Sequence, residues 1–365
     1  MTLLQTAPQL ETMSDGERAL ARVEAWFANE MIDRVPVRFS AHNAFVEQAQ
    51  EKIAELSPAA RKAWWFDVER QVDLFEKSLA GRTFHGETFP VYWPNLGPEV
   101  YAAFYGSELI YGEVTAWSVP LVESEEDVER IELDMENVYF QTLAAMTRLA
   151  LERCEGRYLV GYTDLHPGLD CVAAWRGPQQ LCLDMIKRPE LVERLAEKAI
   201  AGFETIYDHF DGMLKAAGQL SVSWMGIPSR GRMHIPSCDF SALISPAFFR
   251  RFGLPILERE VQTMTHNIFH VDGEGVARHL DAILSVPEVH ALQWVQGVGD
   301  DLPIMQWVPF LRELQERKVP VVVDLKPEEL EPFIEAMDPE GLFLWVATAS
   351  EAEELAIIDR LLRWS

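Results

Sequence analysis

Two hydrophobic periods alternate along this chain. Short apolar or β-rich runs fall at 35–41 (VPVRFSA), 89–93 (FPVYW), 109–114 (LIYGEV), 158–163 (YLVGYT), 219–225 (QLSVSWM), 267–271 (NIFHV), 291–295 (ALQWV), 319–324 (VPVVVD) and 342–346 (LFLWV). Between them lie long segments with the helical spacing of apolar positions, at 123–155, 178–217, 245–265, 274–285, 306–317, 327–337 and 350–363. Residues 44–80, rich in Ala, Glu and Lys, also read as mostly helical. Ser14 to Glu17 fits a capping box that opens a helix through about Met31, and Ser245-Pro246, Lys326-Pro327 and Ser350 to Glu353 carry cap or first-turn proline signals. The later strand runs are apolar throughout rather than alternating, as parallel strands covered on both faces require. One of the nine runs is expected to be a side hairpin, which leaves about eight strands separated by helices. The leading architecture is therefore α/β, a (β/α)8 TIM barrel spanning 35–365 with an N-terminal helical extension over 1–34. A doubly wound open sheet is the alternative, but no GxGxxG or P-loop follows an early strand.

Composition narrows the class. The 365 residues are 48% hydrophobic, enough for a large core, and carry 58 acidic against 32 basic residues for a net charge of −26. Such a surface repels phosphate backbones and anionic lipid, which argues against nucleic-acid and membrane partners. No apolar run reaches the roughly 18–20 residues of a membrane span. The first residues lack the basic start and apolar stretch of a secretory signal, so a cytoplasmic location is expected. Cys154, Cys171, Cys182 and Cys238 form no CxxC pair and are expected to be thiols, mostly buried ones.

In a parallel barrel the chemistry gathers at the C-terminal ends of the strands. The ends here are polar: His42-Asn43 after the first run, Asp164 and His166 and then Asp170 after YLVGYT, Arg230, Arg232, His234, Cys238 and Asp239 after QLSVSWM, Asp272 after NIFHV, and Asp324 and Thr348 after the last two. Asp164/His166 and His270/Asp272 are i, i+2 pairs, so each pair projects to one side of an extended chain. His270 with Asp272 is a metal half-site or a carboxylate-oriented base, or else a structural histidine bonded to a carbonyl. Asp164 and His166 are acid/base groups or caps of the turn at Pro167. Asp239 caps a turn or joins the site. Arg230 and Arg232 are anion clamps or surface cations. Trp93, Trp224, Trp294 and Trp345 belong to the core or wall a flat ligand.

Several longer segments together resemble the uroporphyrinogen decarboxylase superfamily, which includes corrinoid-dependent methyltransferases. They are ARVEAWFANEMIDRVPV, WPNLGPEVYAAFYG (93–106), YTDLHPGLDCVAAWRGPQQLCLDMIKRPELVERL, CDFSALISPAFFRRFGLPIL and FHVDGEGVARHLDAIL, so the resemblance runs from about residue 20 to the end. It implies a barrel with a deep mouth. In the methyltransferases a His-x-Cys pair and a later Cys bind zinc; here His270 is kept, Asp272 replaces the cysteine, and no cysteine follows position 238. What remains is a harder site of His270 and Asp272 with Cys238 or Asp239. The decarboxylase branch carries an arginine-rich motif like MRQAGRY, where this chain reads VRFSAHNAF with Arg38 alone, and its late NLGHG motif is replaced by LFLWVATAS.

The expected function is metal-assisted methyl (one-carbon) transfer or demethylation of a small organic substrate. The metal is divalent, zinc first, and a corrinoid protein or thiol is the partner. His270, Asp272 and Cys238 are the expected ligands. Asp164, His166, Arg232 and Asp239 are the catalytic candidates, and His42, Asn43 and Trp294 the cofactor-binding ones. A cofactor-free decarboxylase working through Asp164, Asp272 and Arg232 is the alternative. A tetrapyrrole- or corrinoid-binding protein without turnover is a further one, and a homodimer is left open.

Overall fold

The computed structural model describes residues 9–41, 51–297 and 302–364. His42 and Asn43 lie outside the described residues. Ten strands occur among them: β1 (Val37–Ala41), β2 (Val91–Tyr92), β3 (Leu109–Tyr111), β4 (Ala116–Ser118), β5 (Leu159–Val160), β6 (Met233–His234), β7 (His266–Asp272), β8 (Ala291–Val295), β9 (Val321–Leu325) and β10 (Leu342–Thr348). Six of them form one curled parallel sheet in the order β1-β10-β9-β8-β7-β6. β2 and β5 make a separate parallel pair, and β3 with β4 is the antiparallel side hairpin.

Backbone bonds link the arcs. Glu87 N–H donates to Val37 O at 2.7 Å on one side, and Tyr162 N–H donates to Val222 O at 2.9 Å on the other. The run 219–225 forms no strand; within it Ser221 makes only an isolated bridge to Ser229.

The long helical segments break where the sequence forces them to. Residues 178–217 become three helices, Pro178–Lys187, Pro189–Ala201 and Phe203–Ala216. Pro189 lacks the N–H to continue the helix before it, and Gly202 opens the third. Residues 123–155 split into Glu125–Arg130 and Val138–Arg153, the second capped by the Asn137 side chain accepting from Phe140 N–H.

Two apolar clusters lie on the two sides of the curled sheet. Val321, Val323, Leu342, Leu344, Leu292 and Trp294 pack outward against the helices. Ile268, Ala291, Val322 and Phe343, one residue out of phase, fill the inside with Leu159, Val222 and Met233. Strand alternation separates the two sets.

The N-terminal helix, Gly16–Phe27, sends Leu20, Val23, Trp26 and Phe27 into the inner cluster. Trp26 Nε1 donates to Gly341 O at 3.0 Å, and Phe27 stacks on His266 with ring centroids 4.1 Å apart. Gly341 and His266 sit where β10 and β7 begin, so the extension closes the floor of the sheet and leaves the opposite end open. A buried cluster holds it there. Glu87, wholly buried, accepts from Arg34 at 2.8 and 3.0 Å, from Arg22 at 3.2 Å and from Val37 N–H at 2.6 Å. Among the described residues no helix is long and apolar enough to cross a membrane.

Candidate active site

β7 carries His270 and Asp272 on one face, two residues apart. The chain then turns at Gly273, whose φ of +75° suits glycine, and enters the helix Gly273–Ala277. The loop after β6 brings Asp239 to the same place. One oxygen of Asp239, one ring nitrogen of His270 and one oxygen of Asp272 lie within 4.8 Å of one another.

Two neighbours set this arrangement. Gln293, opposite His270 in the β7–β8 register, accepts from His270 Nδ1 through Oε1 at 2.7 Å. That bond places the proton on Nδ1 and leaves Nε2 with its lone pair free. Asp170, on the helix Leu169–Arg176, accepts from the backbone N–H of Asp239 at 3.0 Å, of Phe240 at 2.8 Å, and from Ser237 Oγ at 3.3 Å. It shapes the loop that presents Asp239.

A cavity of about 810 Å³ adjoins this cluster, with Trp93, Asp164, His166, Trp224, Asp239 and His270 in its wall. Asp164 is only 5% exposed and its Oδ1 has no hydrogen-bond partner. Burial alone pushes its carboxyl up to about 8, so it is protonated at neutral pH and can donate. His166 shares a 3.1 Å hydrogen bond through Nδ1 with Ser237 Oγ. Burial, and then the neighbouring His270, hold it down to about 4, so it is neutral. Burial, followed by the charges of Asp170 and Asp272, pushes Asp239 up to about 6 against the pull of His270. The site thus combines a neutral acid, a neutral imidazole and a histidine–carboxylate cluster. Among the described residues that line the cavity none is Lys or Arg, and four are Asp or Glu: Glu99, Asp164, Asp170 and Asp239.

Of the residues expected from sequence, the structure brings together Asp164, His166, Asp239, His270 and Asp272. Cys238 is instead in the apolar cluster behind the loop, its thiol pushed well above the ordinary range by burial; its neighbour Asp239 takes the place beside His270. Trp294 faces outward, its ring 4.9 Å from Trp307 and 4.6 Å from Phe310, away from the cavity. Arg232 lies at the floor: its carbonyl accepts from Thr265 and His266 at the start of β7, and its guanidinium pairs with Asp208 at 2.6 Å. Arg230 pairs with Glu17 and Glu24 of the N-terminal helix. Loop 226–232 returns the chain to the N-terminal side before β6, which is why neither arginine reaches the mouth.

Asp170 and Gln293 carry roles that sequence reasoning had not given them. Gln293 had a signal: it is the one polar residue inside the apolar run ALQWV.

Comparison with protein-family models and with curated proteins finds no match. Among solved structures, the chain is similar to a methyltransferase from Methanosarcina mazei, with a TM-score of 0.61 and 12% identity over 94% of this chain and 98% of that one. At that identity the likeness is one of fold.

Proposed function

We propose that this chain is a methyl-transferring enzyme that works on a small organic substrate in the cavity beside His270. The observation that carries the reading is the convergence of Asp239, His270 and Asp272 at the edge of a cavity that also holds a protonated, unpartnered Asp164. The fold shared with a methyltransferase over nearly the whole of both chains supports it. In the same reading, β2, β5 and the segment 219–225 complete the curled sheet into a (β/α)8 ring over 35–365, and the resemblance to the uroporphyrinogen decarboxylase superfamily names its nearest chemistry.

The donor set fits a divalent metal. His270 offers Nε2 because its Nδ1–H is donated to Gln293, and Asp239 and Asp272 offer oxygens. One nitrogen and two carboxylates favour a harder ion than a thiolate site would, so zinc competes here with manganese or iron. When bound, the ion would supply Lewis-acid polarisation of a substrate atom or lower the pKa of a nucleophile. The chain's own groups do the rest. Asp164 donates a proton or a hydrogen bond to a substrate heteroatom as charge develops on it. His166, neutral and tied to Ser237, accepts a proton from the acceptor group. Trp93 and Trp224 exclude water. A corrinoid or thiol partner would bring or remove the methyl group through the open end.

The decarboxylase alternative needs cations for several substrate carboxylates, and the acidic lining counts against it. Metal content of the purified protein, by elemental mass spectrometry on wild type and on His270→Ala/Asp272→Ala, tests the proposal. Near-stoichiometric metal in wild type, lost in a variant that still melts cooperatively, is the expected result. A folded, active, metal-free wild type would overturn metal assistance. A tightly held tetrapyrrole chromophore without turnover would point to the binding-protein reading.

A further inference from the structure

On β1, β10 and β9 a row of three residues crosses three strands. Arg38 on β1 is in register with Trp345 on β10, and Trp345 with Asp324 on β9. All three are out of phase with the outward-packed Val37, Phe39, Val323 and Leu344, so they face the inside of the curled sheet. The guanidinium carbon of Arg38 lies 3.8 Å from the centre of the Trp345 ring. Its other face is against Gly226, where a Cβ would come within 3.2 Å of Nη1 and 3.3 Å of Cζ. Gly226 follows Trp224, which lines the cavity and meets His270 edge-on at 5.5 Å.

With both faces covered, the guanidinium can bind only through its N–H edge. Part of that edge is unused: Nε and Nη1 of Arg38 have no hydrogen-bond partner, nor has Oδ1 of Asp324. The two side chains feel each other's charge, Asp324 raising the Arg38 pKa against burial, yet no ion pair joins them among the described residues. Leaving a buried guanidinium and a buried carboxylate unpaired is costly unless something else satisfies them.

We infer that Arg38 and Asp324 form a specificity subsite for a flat ligand that presents a carbonyl oxygen next to an N–H along one edge, as an amide or lactam ring does. The oxygen accepts from the Arg38 edge, and the N–H donates to Asp324. The pair sums to no net charge. A ligand with a free carboxylate would satisfy Arg38 but set two carboxylates against each other, and a simple ammonium would do the reverse against Arg38. An in-plane acceptor beside an in-plane donor matches both at once, and Trp345 and Trp224 keep water from competing.

The subsite rests on reading the mouth as the active site, but its test does not depend on metal or turnover. Ligand-detected NMR titration of the full-length protein would use three probes: 2-pyridone, N-methyl-2-pyridone, which keeps the oxygen but lacks the N–H, and benzoate, which has acceptors only. In wild type, 2-pyridone should bind at least about tenfold more tightly than either of the others, the size expected for losing one hydrogen bond to a charged group. Arg38→Met should weaken 2-pyridone by a similar factor. Benzoate binding tightest, equal binding of the N-methyl probe, no detectable binding of 2-pyridone, or binding indifferent to Arg38→Met would each overturn the assignment. The probe comparison in wild type stands even if a variant fails to fold. If the purified protein proves metal-free and 2-pyridone still binds in this pattern, the subsite holds and metal assistance falls.

Discussion

Gln293 accepts a hydrogen bond from His270 Nδ1, which leaves Nε2 free for a ligand, and its contribution is measurable. Gln293→Leu keeps volume but removes the acceptor for Nδ1–H. Metal affinity should fall by about 10- to 100-fold, the usual effect of losing a partner that orients a ligand histidine; competition with a metal-binding dye reads this directly, and an unchanged affinity would mean that His270 is not a ligand. Asp164 offers a second test at the same scale. Its carboxyl keeps a proton up to about pH 8, whereas in the unfolded chain it loses it near the ordinary value. Between those limits the native state holds the extra proton, so this group's contribution to stability falls as pH rises through that window. Asp164→Asn removes the titration. It should therefore gain on wild type in unfolding free energy, read by chemical denaturation, as pH is raised from 5 to 8, by on the order of a few kcal/mol, while losing activity. A pH-independent difference between the two would show that Asp164 ionises normally. The residue scale is also where sequence reasoning was most uneven. His270 and Asp272 on one side of an extended chain follow from a two-residue period. Cys238 and Asp239 are adjacent, and only the turn imposed by Asp170 decides that the carboxylate, and not the thiol, enters the site.

At the scale of elements, the N-terminal helix and β1 are joined through one buried carboxylate. Glu87 accepts from two arginines and from the strand's own backbone, so its removal leaves Arg22, Arg34 and Val37 N–H short of a partner together. Glu87→Ala should cost roughly 3–5 kcal/mol of unfolding free energy in chemical denaturation, as breaking a buried ion pair does; a cost below about 1 kcal/mol would mean that the arginines find other acceptors. The strands show how far periodicity carries. The runs at β7 to β10 are apolar on both faces, which correctly marks them as buried parallel strands, but such a pattern has no phase. It could not tell that Gln293 points inward and Trp294 outward. Arg38, a charge in the middle of an apolar strand, was a signal of an inward polar layer that the run itself contained.

For the whole molecule, the extension closes the floor of the curled sheet, and the chemistry sits at the opposite end. Deleting residues 1–34 would uncover Phe343, Ile268 and Met233 of the inner cluster. The truncated chain should bind a hydrophobic dye and lose its cooperative melt; a truncated chain that melts like wild type would show that the helix is not part of the core. The net charge of −26 makes a further demand. Added salt screens self-repulsion, so the melting temperature should rise between about 0.01 and 0.15 M salt.

Taken alone, the sequence determined what local rules can determine. Most strand and helix runs, the parallel character of the sheet, the presence of a side hairpin, the acidic composition and the pairing of His270 with Asp272 follow from periodicity, caps and charge within a few residues. The tertiary structure decided everything that depends on which distant residues meet. It set Asp239 beside β7, Arg232 at the floor, Trp294 against the helices, and Arg38 across Trp345 from Asp324. Those outcomes rest on the curl and register of the sheet and on where each loop re-enters it, and neither quantity is written in any short stretch of chain.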